Sequence, residues 1–133
     1  MTFKQLLARV MEIPGVGDVP QAETVVAAVF QALRDRLTRD EADDVRAQLP
    51  TEWKMLWESG TWWQKLTARW RGMNHLDRAE FVARVQKAIG PEIPAEQAVR
   101  VIFHALKAQI SPGEADDVAG QLPASLRTLW KAA

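Results

Sequence analysis

EADDVRAQLP at residues 41–50 returns as EADDVAGQLP at 114–123, 73 residues further on. From Ala22 to Trp57 that offset leaves 16 of 36 positions identical, which chance does not sustain over such a length. The repeat fixes the architecture before any helix is located, because whatever the first copy builds the second builds again.

Around the repeated segment, apolar spacing and punctuation give the same four helices twice. Thr2-Phe3-Lys4-Gln5 and Asp77-Arg78-Ala79-Glu80 have the form of capping boxes, in which the first side chain accepts from the fourth backbone N–H and the fourth side chain reaches back. Leu6, Leu7 and Val10 follow the first box; Phe81, Val82 and Val85 follow the second. Pro14, Gly15 and Gly17 break one helix, Gly90 and Pro91 its counterpart. Val26, Val29, Phe30, Leu33 and Leu37 then mark one face of a long helix, and Val99, Ile102, Phe103, Leu106 and Ile110 repeat it. Thr38-Arg39-Asp40-Glu41 and Ser111-Pro112-Gly113-Glu114 are two further capping boxes, opening a third helix buried through Ala42, Val45 and Leu49, or Ala115, Val118 and Leu122. Pro50 and Pro123 end it and open a fourth, carrying Trp53, Leu56 and Trp57, or Leu126, Leu129 and Trp130.

No segment alternates with period two over a strand's length. The expected fold is therefore all-α, a helical bundle of two tandem pseudo-symmetric repeats of about four helices each. The first spans 1–58, the second 76–133, and 59–75 is a Trp-rich basic connector expected to be helical. A unit of 55–60 residues is only marginally self-sufficient, so the copies are expected to pack into one compact domain.

The 133 residues carry 17 basic and 17 acidic side chains, so no net field draws the chain to nucleic acid or an anionic membrane. There is no cysteine, which removes disulfides, thiol catalysis and thiolate metal sites together. No uncharged apolar run approaches the ~20 residues of a membrane span, and MTFKQLLARV carries charge where a signal peptide's apolar run belongs. A cytoplasmic location is the expectation.

The combination of A-E entry, V-F-x-A-L, capping box, E-A-x-D-V and Q-L-P resembles the bacterial domain-of-unknown-function family numbered 2267. Ala22, Glu23, Phe30, Leu33, Glu41, Asp44, Gln48, Leu49 and Pro50 carry it in the first copy. Ala95, Glu96, Phe103, Leu106, Glu114, Asp117, Gln121, Leu122 and Pro123 carry it in the second. Arg39-Asp40 and Pro112-Gly113 stand where many relatives have Gly-Gly. The resemblance implies a small, soluble, helical protein and transfers no activity to any residue.

Few residues have the makings of chemistry. Glu41, Asp43 and Asp44, with Glu114, Asp116 and Asp117, form two matching acidic sets that could hold a divalent cation. Their place in the first turns of helices, and the use of the glutamate in capping, favour a structural role. Gln48 and Gln121, each before Leu-Pro, are expected to cap a neighbouring helix end or tie the third helix to its turn. His75 and His104 have no recognisable nucleophile or carboxylate partner. No phosphate loop, nucleophile elbow or H-E-x-x-H motif occurs. The expectation is no catalytic set, no cofactor and no metal.

Five of the six tryptophans lie between 53 and 70, and only Trp57 has a tryptophan counterpart, Trp130. In the connector, Trp62 or Trp63, Leu66 and Trp70 make an apolar stripe beside Lys65, Arg69 and Arg71. Such a helix either wedges between the copies or presents a docking face, since Trp and Arg are favoured at interface hot spots. A membrane-surface role ranks below both. The reading is a non-catalytic protein-interaction or structural module, with Trp62, Trp63, Trp70, Lys65 and Arg69 as residues for a protein partner or a second copy. The alternative is a small-molecule or lipid pocket between the copies, lined by Val29, Phe30, Ile102 and Phe103.

Overall fold

The computed structural model describes residues 1–59 and 77–133. Among them are eight helices and no strand: α1 (Phe3–Met11), α2 (Val19–Arg34), α3 (Arg39–Gln48), α4 (Thr51–Glu58), α5 (Arg78–Ile89), α6 (Ala95–Gln109), α7 (Pro112–Gln121) and α8 (Ala124–Ala132). The all-α expectation holds. Trp62, Trp63, Lys65, Leu66, Arg69, Trp70, Arg71 and His75, and with them the expected connector helix, lie outside the described residues.

Five of the eight described helices start at a side-chain oxygen that caps their free N–H groups, while α4, α6 and α8 start after Pro50, Pro94 and Pro123 without one. At α1 the capping box is complete, with Thr2 Oγ1 accepting from Gln5 N–H at 3.1 Å and Gln5 Oε1 from Thr2 N–H at 2.8 Å. Asp18, Thr38, Asp77 and Ser111 cap α2, α3, α5 and α7 through their side chains. The long helices stop sooner than their apolar stripes: α2 ends at Arg34 and α6 at Gln109. The next caps, Thr38 and Ser111, need extended backbone (ψ 159° and 155°), so the chain leaves the helix before them. Leu37 and Ile110 pack on the core from the turns instead.

The inward faces form one apolar core that includes side chains of all eight helices. Contacts recur in exchanged pairs: α1 packs on α6 as well as on α2, and α5 on α2 as well as on α6, while α2 meets α6 and α3 meets α7. The first helix of each half thus lies on the long helix of the other. Phe30 stacks edge-on against Trp57 at 5.5 Å and 63°, and Phe103 against Trp130 at 5.0 Å and 69°. Cations at equivalent places close the last helices of the halves. Arg34 donates to the Trp57 carbonyl at 3.2 Å, and Lys107 Nζ to those of Trp130 and Ala133 at 2.7 and 2.8 Å. Arg84 on α5 pairs with Asp35 at the end of α2, with side chains only 10% and 19% exposed.

Two loops also meet. Gly15, between α1 and α2, has φ +90°, and a Cβ there would sit 2.5 Å from the Glu92 carbonyl oxygen between α5 and α6. Gly90 has the same backbone, φ +92°, but open space around it. Gly15→Ala meets both the left-handed penalty and a backbone clash, and is expected to cost about 2–3 kcal/mol. Gly90→Ala meets only the first and should cost about 1 kcal/mol. Urea midpoints of the two variants give the comparison; equal losses would remove the loop contact from the account.

Candidate functional site

The starts of α3 and α7 face each other across the halves. Thr38 Oγ1 accepts from Glu41 N–H at 3.3 Å, and Ser111 Oγ from Glu114 N–H at 3.1 Å. That is half of each expected capping box. The other half is supplied from across the interface. Gln121 Oε1 accepts from Thr38 N–H at 2.8 Å, and Gln48 Oε1 from Ser111 N–H at 2.7 Å. Gln121 also donates to Thr38 Oγ1 at 3.2 Å. The two glutamines thus cap a neighbouring helix end, and that helix belongs to the opposite half. The glutamate side chains do not complete the capping boxes, which corrects the second ground for a purely structural acidic cluster, while their first-turn placement stands.

Displaced from that task, Glu41 and Glu114 turn toward each other. Each residue is 8% exposed, and Oε1 of each is shut away from solvent without a hydrogen-bond donor. Asp44 lies one turn beyond Glu41 on the same face, at the solvent edge. Ligand oxygens of Glu41, Asp44 and Glu114 all fall within 4.8 Å of one another. The acidic sets that diverge within one helix therefore converge between two. The signal was present in the sequence as E-x-x-D, Glu41/Asp44 and Glu114/Asp117. What was missing was the knowledge that α3 packs on α7.

Electrostatically the arrangement is one-sided. Burial, the hydrogen bond to Glu114, and the negative charges of Glu114, Asp117 and Asp44 together push the Glu41 carboxyl up to about 8. As ionised groups neither Oε1 has a donor; protonating Glu41 creates one, directed at Glu114. A helix N-terminus stabilises an adjacent anion by roughly 0.3–1 kcal/mol, and at most ~2 in partly buried sites. Leaving a buried charge without a partner costs roughly 3–5 kcal/mol. The dipoles do not offset that, so the pair needs a positive species between its oxygens.

The other sequence candidates fall elsewhere. His104 is exposed on α6. Val29, Phe30, Ile102 and Phe103 are each fully enclosed in the core. Among the described residues, open depressions of about 440 Å³ and 420 Å³ lie beside Asp77, Arg78, Glu96 and Ser125, and beside Met1, Gln5 and Arg9. Trp62, Trp63, Lys65, Arg69 and Trp70 are outside the described residues. Three other tryptophans, Trp53, Trp57 and Trp130, are 1–2% exposed in the core.

The model of the DUF2267 family, described as an uncharacterized conserved protein, matches residues 3–129. No curated protein matches the chain.

Proposed function

We propose, for a chain that belongs to the DUF2267 family of uncharacterized conserved proteins, a non-catalytic role in which a helical body presents its connector to another protein or to a second copy. The body is read as a tandem duplication of a four-helix unit, working in the cytoplasm. The observation that carries this reading is the anchoring of the connector at both roots. On one side Gln31 Nε2 donates to the Trp57 carbonyl at 2.9 Å and to that of Ser59, while Ser59 Oγ donates to the Leu56 carbonyl at 2.8 Å. On the other, Asp77 caps α5 and the Arg78 N–H donates to Ser125 Oγ at 3.0 Å. Fixed roots lower the ordering cost of a segment that docks.

The composition of the segment supplies the rest. Trp53, Trp57 and Trp130 are accounted for as core. Trp62, Trp63 and Trp70, with Lys65 and Arg69, are the pairing of indole and cation that dominates interface energetics. Trp63→Ala and Trp70→Ala are expected to weaken self-association or partner capture tenfold or more, about 1.4 kcal/mol or above. Folding stability should change by less than that. Light scattering and urea melts on the same preparations separate the two effects. A dilute monomer in which iodide quenches no connector indole would assign these side chains to packing between the halves and end the docking reading.

A further inference from the structure

We propose that Glu41, Asp44 and Glu114 form a binding site for one hard, oxygen-preferring divalent cation, seated between α3 and α7 and joining the two halves. The proposal does not depend on the connector or on what it contacts.

Four observations carry it. Glu41 and Glu114 are more than nine-tenths buried, and an oxygen of each lacks any hydrogen-bond partner. Orphaned oxygens of this kind in a packed protein call for an ion or an ordered water. The internal donors that first-turn glutamates ordinarily take, the Thr38 and Ser111 N–H groups, are occupied by Gln121 and Gln48 from across the interface. No ion pair among the described residues reaches Glu41, Asp44 or Glu114. Finally, the ligand oxygens all lie within 4.8 Å of one another, near enough for one ion to touch all three, and three carboxylates are more than Mg²⁺, which keeps several of its waters, usually takes.

The donor set sorts the metals. Carboxylates alone suit calcium and manganese; without histidine or cysteine the site has nothing to favour zinc or copper. Asp44, exposed at the rim, leaves room for water to complete six or more ligands. Asp117, also exposed, adds negative potential from the α7 side. Because the buried ligands come from different halves, a cation bound only to the folded chain stabilises it by mass action and holds α3 on α7.

The test uses the full chain stripped with chelator and then titrated with Ca²⁺, Mn²⁺ and Mg²⁺ by calorimetry and thermal melting. One Ca²⁺ or Mn²⁺ per chain should bind and raise the melting temperature by several degrees at millimolar ion, with Mg²⁺ weaker. Glu41→Gln and Glu114→Gln should each abolish the rise. Asp43→Asn and Asp116→Asn, neighbours outside the site, should keep it. Mn²⁺ titrated into unmutated protein should broaden the amide signals of residues 41–45 and 114–118 first, which needs no variant to fold. No saturable binding, a rise that survives both glutamine variants, a rise lost equally in the asparagine controls, or broadening centred elsewhere would each overturn the site.

Discussion

Trp130→Ala is expected to destabilise the protein by about 4 kcal/mol, within the range for emptying a buried aromatic site. Trp130 is 2% exposed, stands edge-on to Phe103 at 5.0 Å, and donates from Nε1 to the Ala115 carbonyl at 3.1 Å. Lys107 Nζ lies 5.9 Å from its ring centroid while holding its carbonyl. Truncation removes the apolar volume, the aromatic contact and the link between α8 and α7 together. A domain of this size is stable by only about 5–15 kcal/mol, so the loss is a large share of the total. Trp57→Ala, at the matching contact with Phe30, should cost a similar amount. Because α1 rests on α6 and α5 on α2, damage at Trp130 cannot stay in the second half. Urea unfolding followed by circular dichroism should show one cooperative transition at a lower midpoint, with amide exchange accelerated in α1 and α2 as well as α6 to α8. Two separated transitions, with α1 and α2 still protected, would mean the halves fold independently.

Most of the helical framework was legible because its causes are local. Leu6 and Val10, Val29 and Phe30, Ile102 and Phe103 are spaced along the chain as they are spaced on a helix face, and all are buried. Thr38 and Ser111 announce helix starts within four residues of themselves. The acidic pair was not legible in the same way. Nothing local says that Gln121 will take the Thr38 N–H, 83 residues away, or that Gln48 will take that of Ser111, 63 residues away. A capping box written in sequence assumes that its own glutamate completes it. Here a distant amide competes for the same donor and wins, because its geometry is fixed by the packing of α3 on α7. The clue that survived in sequence was repetition itself: Glu, Asp and Gln returned at one offset, but their meeting belongs to tertiary structure.

That meeting has a measurable signature in the metal-free protein. Stability should fall as pH rises from about 4.5 to about 8 and level off beyond. The sign follows from the Glu41 carboxyl, whose value is raised from 4.5 in the unfolded chain to about 8 in the fold. Below 4.5 both states hold the proton and the pair costs nothing extra. Between the two values the unfolded chain releases it while the folded chain keeps it, so each step upward favours unfolding. Above about 8 both are ionised, and the full repulsion among Glu41, Glu114, Asp44 and Asp117 remains. At about 1.4 kcal/mol per pKa unit the total reaches a few kcal/mol. Glu96, held below the usual carboxylate range by Arg78, acts at the opposite end, losing its contribution only as pH falls below 4.5, so it does not confuse this window. Denaturant midpoints in chelator at pH 5, 6.5, 8 and 9 trace the curve. Glu41→Gln, which keeps the shape and supplies a permanent donor toward Glu114, should flatten it and leave the variant more stable than the parent at pH 8. A parent protein whose midpoint is level from pH 5 to 8 would show that the two carboxyls are not confined together as the packing of α3 on α7 places them.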